Sequence, residues 1–136
     1  MPTKKILVPM DGSKSAIRAL KFAAKTFDAV LLVLNVQPAL ASNRLVSKAM
    51  IAEHQKRGAD AALREARTLI KRSKMRAKTH VALGEPATAI VAFAKKQRCF
   101  AIVMGNRGKG RIAGLVLGSV ASRVIYLAAC PVTVVK

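Results

Sequence analysis

The run Val30-Leu31-Leu32-Val33-Leu34-Asn35-Val36 constrains this chain more than any other segment. It has the length of a strand and shows no alternation of apolar and polar residues, so both of its faces must be covered. A strand of that kind belongs to a parallel sheet with helices on both sides. The rest of the chain must therefore supply more strands and the crossover helices that parallel pairing requires. Further strand-like segments are Ile6-Leu7-Val8-Pro9, Ala77 to Leu83, Phe100-Ala101-Ile102-Val103-Met104 and Pro131-Val132-Thr133-Val134-Val135.

Between them the apolar spacing is helical. Ala16, Ala19, Leu20, Ala23 and Phe27 form one face, with Ser13 or Ser15 as the N-cap. A second helix is predicted from about Ser47 to Lys74, with Ala59, Ala62, Leu63, Ala66, Leu69 and Ile70 inward and Gly58 as a point where it bends or breaks. Pro86 suits the first position of a third helix that buries Ala87, Ile90, Val91 and Ala94. A last helix starts near Ser119 with Val120, Val124, Ile125 and Ala128 inward, and residues 39–46 read as loop. The order is βαβαβαβαβ, which predicts an α/β fold with an open, five-stranded, Rossmann-like parallel sheet. At 136 residues this is one domain, residues 1–136, large enough to bury a core.

No apolar run approaches the roughly 18 residues of a membrane span, and the N-terminal run is too short for a signal peptide. The expected location is cytoplasmic, with no membrane partner. Cys99 and Cys130 form no zinc or CxxC pattern and read as reduced thiols. Each precedes a predicted strand, so a redox pair stays open if those strands are neighbours. His54 and His80 are isolated, and a metal site built from them is not expected.

The chemistry is concentrated in Gly105-Asn106-Arg107-Gly108-Lys109-Gly110-Arg111 and in Gly118-Ser119, between a strand and a helix. Glycines let backbone amides approach a ligand. A helix N-terminus adds free N–H groups and a positive dipole end that favours phosphate. Ser119 can act there and can also be the N-cap. The P-loop pattern fails because Arg111-Ile112 follows Gly110 where Lys and Ser or Thr are required. Gly108 to Ala113 fits a permissive dinucleotide fingerprint, but it is not in a first βα unit and lacks the acidic residue downstream.

The spacing Gly105-x2-Gly108-x9-Gly118-Ser119 resembles the signature of ATP-binding universal stress proteins. Ile6 to Ser13 resembles that family's opening strand and acidic turn, and Gly118 to Val124 with Cys130 to Val135 resembles its closing helix and strand. The resemblance implies a sheet order of 3-2-1-4-5, ATP as the ligand with Mg²⁺ possible, and a homodimer through the C-terminal strand. It places Pro9 and Asp11 on the adenosine side and Val36 near the base. Met104, Gly105, Arg107 and Gly108 then wrap the ribose and phosphates, and Gly118, Ser119 and Val120 hold the terminal phosphates. Ala121 stands where some members carry a hydroxyl.

Other readings compete. Asp11 also suits capping of the first helix, and Arg107, Lys109 and Arg111 also suit a solvated loop. Gly110 and Gly114 read as loop flexibility. A slow ATPase is a further possibility, but Asp11 is the one acidic residue placed in the crevice, with Glu85 after strand 3 at the sheet edge. Finally, 25 basic residues face six acidic ones, a net charge of +19. A field of that size attracts polyanions, including nucleic acid, without specificity. Few aromatics are present for base stacking, and Phe22 and Phe27 read as lying on or near buried faces.

Overall fold

The computed structural model describes residues 3–108 and 117–136. Five strands, β1 (Lys5–Pro9), β2 (Val30–Gln37), β3 (Ala77–Leu83), β4 (Ala101–Gly105) and β5 (Val132–Val135), alternate with four helices. The helices are α1 (Lys14–Thr26), α2 (Lys48–Ser73), α3 (Pro86–Lys96) and α4 (Ser119–Leu127). All strand pairs are parallel, in the order β3-β2-β1-β4-β5. The fold class and strand order are those expected.

The apolar run of β2 shows why both faces had to be covered. Leu31 and Val33 join Ile6, Val8, Ala101 and Val103 against α1 and α2. Leu32 and Leu34 join Leu7, Ile102 and Met104 against the opposite layer, where α3 and α4 contribute Ile90, Ala94, Ala121 and Val124. One strand thus feeds two cores through the two-residue period of its side chains.

Local chemistry fixes the helix starts. Ser13, not Ser15 or Asp11, caps α1, its Oγ accepting from Ala16 N at 3.1 Å. Ser47 caps α2 in the same way at 3.1 Å from Met50 N. Glu85 caps α3 with both carboxylate oxygens, accepting from Ala87 N and Thr88 N, and Pro86 follows at the first turn. Residues 39–46 form neither helix nor strand; Asn43 Oδ1 accepts from Leu45 N and Val46 N and holds the turn.

Three expectations are corrected. Gly58 does not interrupt α2, which runs unbroken for 26 residues. Its glycine is explained by packing, because a Cβ there would lie 2.5 Å from Gln37 Oε1, and the Gln37 amide is itself held by Asn35 Oδ1 at 2.7 Å. In α4 the buried pair is Ala121 and Val124, while Ile125 is 47% exposed. The helix is rotated so that its smallest residue meets the sheet, which turns Ile125, Tyr126 and Leu127 outward. Phe100 precedes β4 and is exposed, with Lys4 Nζ 4.2 Å from its ring centroid. Among the described residues no helix is long and apolar enough to cross a membrane.

Both cysteines are free and contact the α3–α4 core. Burial, and secondarily the neighbouring Cys130, push the Cys99 thiol up to about 11 from an ordinary value of 9.0. Above pH 9 the unfolded chain ionises this thiol and the folded chain does not. The contribution to stability is therefore complete below about pH 9 and is lost as pH rises through 11. Denaturant titrations between pH 8 and 11 should show that decline, and Cys99→Ala should flatten it.

Candidate functional site

The chain leaves β1 for β2 and β3 and later returns to β4 on the other side of β1, so the strand order reverses between β1 and β4. Helices leave the two carboxyl ends in opposite layers, and a crevice opens there. It has a volume of about 340 Å³, in the range of small-molecule sites.

All ten residues singled out in the sequence line this cleft: Pro9, Asp11, Val36, Met104, Gly105, Arg107, Gly108, Gly118, Ser119 and Val120. The structure brings them together from β1, β2, β4 and the N-terminus of α4. Lys109, Gly110, Arg111 and Gly114 lie outside the described residues.

One wall is the turn after β1. Gly12 adopts a left-handed φ of 85°, which an Asp-Gly pair permits at little cost. The turn brings the Asp11 carboxylate back so that Oδ1 accepts from Ser13 N at 2.9 Å. Asp11 thus braces the turn that precedes α1, and its Oδ2 points toward Gly108, where a Cβ would sit only 2.8 Å from it.

The opposite wall is the segment after β4. Buried Ser15 Oγ donates to Asn106 Oδ1 at 2.9 Å, and Arg107 N approaches the same hydroxyl at 3.4 Å. Gly118 N donates to Asn106 O at 2.5 Å, which joins the start of α4 to the end of β4. Gly118 fits tightly, its missing Cβ being 3.3 Å from both Arg107 Cα and Asn106 O. The floor is apolar, from Leu34, Val36, Ile90 and Met104.

The helix ends differ in one respect that matters. α1, α2 and α3 are each capped by a side chain, whereas the N-cap of α4 is Gly118, with no side-chain hydrogen bond. Ser119 is therefore the first helical residue and not the cap. Among the described residues no side chain caps the first-turn amides of α4, which present the positive end of the helix dipole at the cleft.

Sequence reasoning missed Asn35, Ser13, Pro86 and Ile90 among the lining residues. Asn35 is buried and donates from Nδ2 to Met10 O at 2.8 Å, tying the end of β2 to the end of β1. A polar residue inside an otherwise apolar strand was the available signal. Glu85 is not in the lining; it caps α3 and meets Arg123 Nη1 at 3.7 Å. The Thr88 side chain first, then the backbone N–H groups of Thr88 and Ala87, hold its carboxyl below the ordinary range by hydrogen bonding.

A family model described as the universal stress protein family matches residues 2–136. The chain belongs to the universal stress protein family. Universal stress protein MJ0531 of Methanocaldococcus jannaschii is 39% identical over 98% of this chain and 82% of its own length. The universal stress protein of Archaeoglobus fulgidus, solved in complex with dAMP, superposes with a TM-score of 0.72 at 27% identity, covering all of both chains. Another universal stress protein, solved with cAMP, gives 0.72 at 26% identity over 100% of this chain and 99% of its own. This universal stress protein therefore shares its fold and family with proteins that hold adenine nucleotides.

Proposed function

We propose that this protein binds an adenine nucleotide, with ATP as the physiological ligand, in the cleft between β1 and β4, and that the bound state serves stress signalling. The uncapped N-terminus of α4 carries the reading. A phosphate placed there takes the hydrogen bonds that side chains supply to the other three helices, and Gly118 and Gly108 leave it room. In this reading Arg107, Ser119 and Val120 hold phosphate. Pro9, Val36 and Met104 enclose the base and sugar, with Gly105 closing the wall. Asp11 Oδ1 is committed to Ser13 N–H, which leaves Oδ2 for a ribose hydroxyl or for a Mg²⁺ ion carried in with the phosphates.

Asp11 is the one carboxylate lining the cleft among the described residues, and it is already a structural acceptor. The site is thus furnished for holding a nucleotide rather than for activating water. The test is calorimetric titration with ATP and Mg²⁺, and with AMP, in roughly 300 mM salt to suppress bulk attraction of polyanions. Saturable binding near one nucleotide per chain is expected; no heat of binding with either would end the reading.

We further propose a homodimer through β5. This strand forms one edge of the sheet, and Ile125, Tyr126 and Leu127 of α4 are exposed, Tyr126 at 87%. An unpaired apolar edge favours pairing with a second copy. Sedimentation equilibrium at micromolar concentration should return twice the 14.5 kDa chain mass, and a monomer would reject the dimer.

A further inference from the structure

The positive charge is not spread evenly over the helices. The exposed positions of α1 are Lys14, Arg18, Lys21, Phe22, Lys25 and Thr26, so four of its six exposed side chains are cations. The helix contains no acidic residue. The acids that flank it in sequence are engaged elsewhere, Asp11 with the Ser13 amide and Asp28 with Arg76. Among the described residues none of the four cations pairs with an Asp or Glu side chain; Arg18 Nε donates to the O atom of Lys136 at 3.1 Å.

The neighbouring α2 is the internal comparison. It is also rich in Lys and Arg, but Glu53, Asp60 and Glu65 are interspersed, and Arg57–Glu53, Lys56–Asp60 and Arg67–Asp60 are paired. That is the pattern of a solvated helix face. The face of α1 has no such compensation. Its cations follow at steps of four, three and four residues, a column about 16 Å long at 1.5 Å per residue.

Phe22 flanks this column, about one turn after Arg18 and just under one turn before Lys25, and is 38% exposed, contrary to its expected place on a buried face. An aromatic ring beside a row of cations is the arrangement by which proteins hold single-stranded nucleic acid, the charges following phosphates and the ring receiving a base. The exposed face carries no Asn or Gln to read base edges. We propose that the outer face of α1 binds single-stranded nucleic acid without sequence preference, with Lys14, Arg18, Lys21 and Lys25 on phosphates and Phe22 stacked on a base. This surface is separate from the nucleotide cleft, and its test does not depend on that reading.

The test is fluorescence anisotropy with a labelled 20-nucleotide oligothymidine between 50 and 300 mM salt. The full-length protein should bind with a log–log salt slope of about −3, since each phosphate contact on a single strand contributes about −0.7. The variant K14Q/R18Q/K21Q/K25Q should lose at least about tenfold in affinity at low salt, with a much shallower slope. A control with the same loss of charge on α2, K48Q/R64Q/K71Q/R72Q, should stay within about twofold; an equal loss would assign binding to net charge alone and overturn the proposal. Phe22→Leu keeps an apolar side chain without the ring, and should lose about tenfold with the salt slope unchanged. No effect of Phe22→Leu, or tighter binding to a duplex of the same length, would overturn the single-strand assignment. Competition by millimolar AMP at matched ionic strength would place the strand in the cleft instead, also overturning it. Binding to phosphatidylserine vesicles with none to the oligonucleotide would make the face a membrane surface and reject nucleic acid. Thermal melts establish that each variant is folded.

Discussion

Gly118→Asp should abolish adenine-nucleotide binding, lowering affinity by more than about a hundredfold. The substitution places a carboxylate at the N-cap of α4, where the missing side chain leaves the first-turn amides available to a phosphate. An Asp at that position would cap the helix itself and satisfy those amides from within. It would also set a negative charge against the incoming phosphate. Like charges brought together at a binding surface cost several kcal/mol, and about 1.4 kcal/mol is a factor of ten. Gly118→Ala separates the two effects. It adds a methyl group 3.3 Å from Arg107 Cα and Asn106 O but no charge, and should weaken binding by a smaller factor. Calorimetric titration of the three proteins, with circular dichroism to establish folding, decides the matter. Equal affinity in the wild type and Gly118→Asp would remove α4 from the site.

Gly105→Ala should have the largest effect on stability, about 3 kcal/mol, at the upper end for added volume in a packed interior. The new Cβ would lie 2.7 Å from the Ser15 carbonyl carbon and 2.8 Å from its oxygen, and close upon the Ser15 hydroxyl as well. Two of these atoms are backbone, so no rotamer change relieves the contact. α1 would have to move away from β4, pulling on the Ser15–Asn106 hydrogen bond and on the approach of Arg107 N to Ser15. Denaturant titration should show the midpoint falling with little change in slope. Gly108→Ala is the control. Its Cβ would meet only the end of the Asp11 side chain, and its effect on stability should stay under about 1 kcal/mol. A loss in Gly105→Ala no greater than in Gly108→Ala would show that the α1–β4 contact is not the constraint on residue 105.

These two glycines mark how far the sequence could be read. Gly105 and Gly118 stood out together by their spacing, and both were assigned to a ligand. The structure gives Gly105 a different first reason, the close passage of α1, which joins residues 90 positions apart and has no local signature. Gly58 was read as a weakness in α2 for the same reason, since Gln37 fills the missing space from another element. In α4 the apolar residues are too evenly distributed for periodicity to pick the buried face. Its true inward face uses Ala121, whose small size lets the helix lie close to the sheet.

The sequence by itself determined the element order and the parallel sheet, which follow from apolar runs, helical spacing and turn residues, each local to a stretch of chain. The strand order and the segments that meet at the cleft were implied by the resemblance of the glycine spacing and flanking segments to the universal stress proteins. The tertiary structure decided what needs contacts between distant segments. Asn35 ties β2 to β1, Asp11 is spent on the α1 turn, and α4 alone of the four described helices begins without a side-chain cap. It also decided that Phe22 faces outward among the cations of α1. Burial depends on what packs against a face, and that is settled only when the layers assemble.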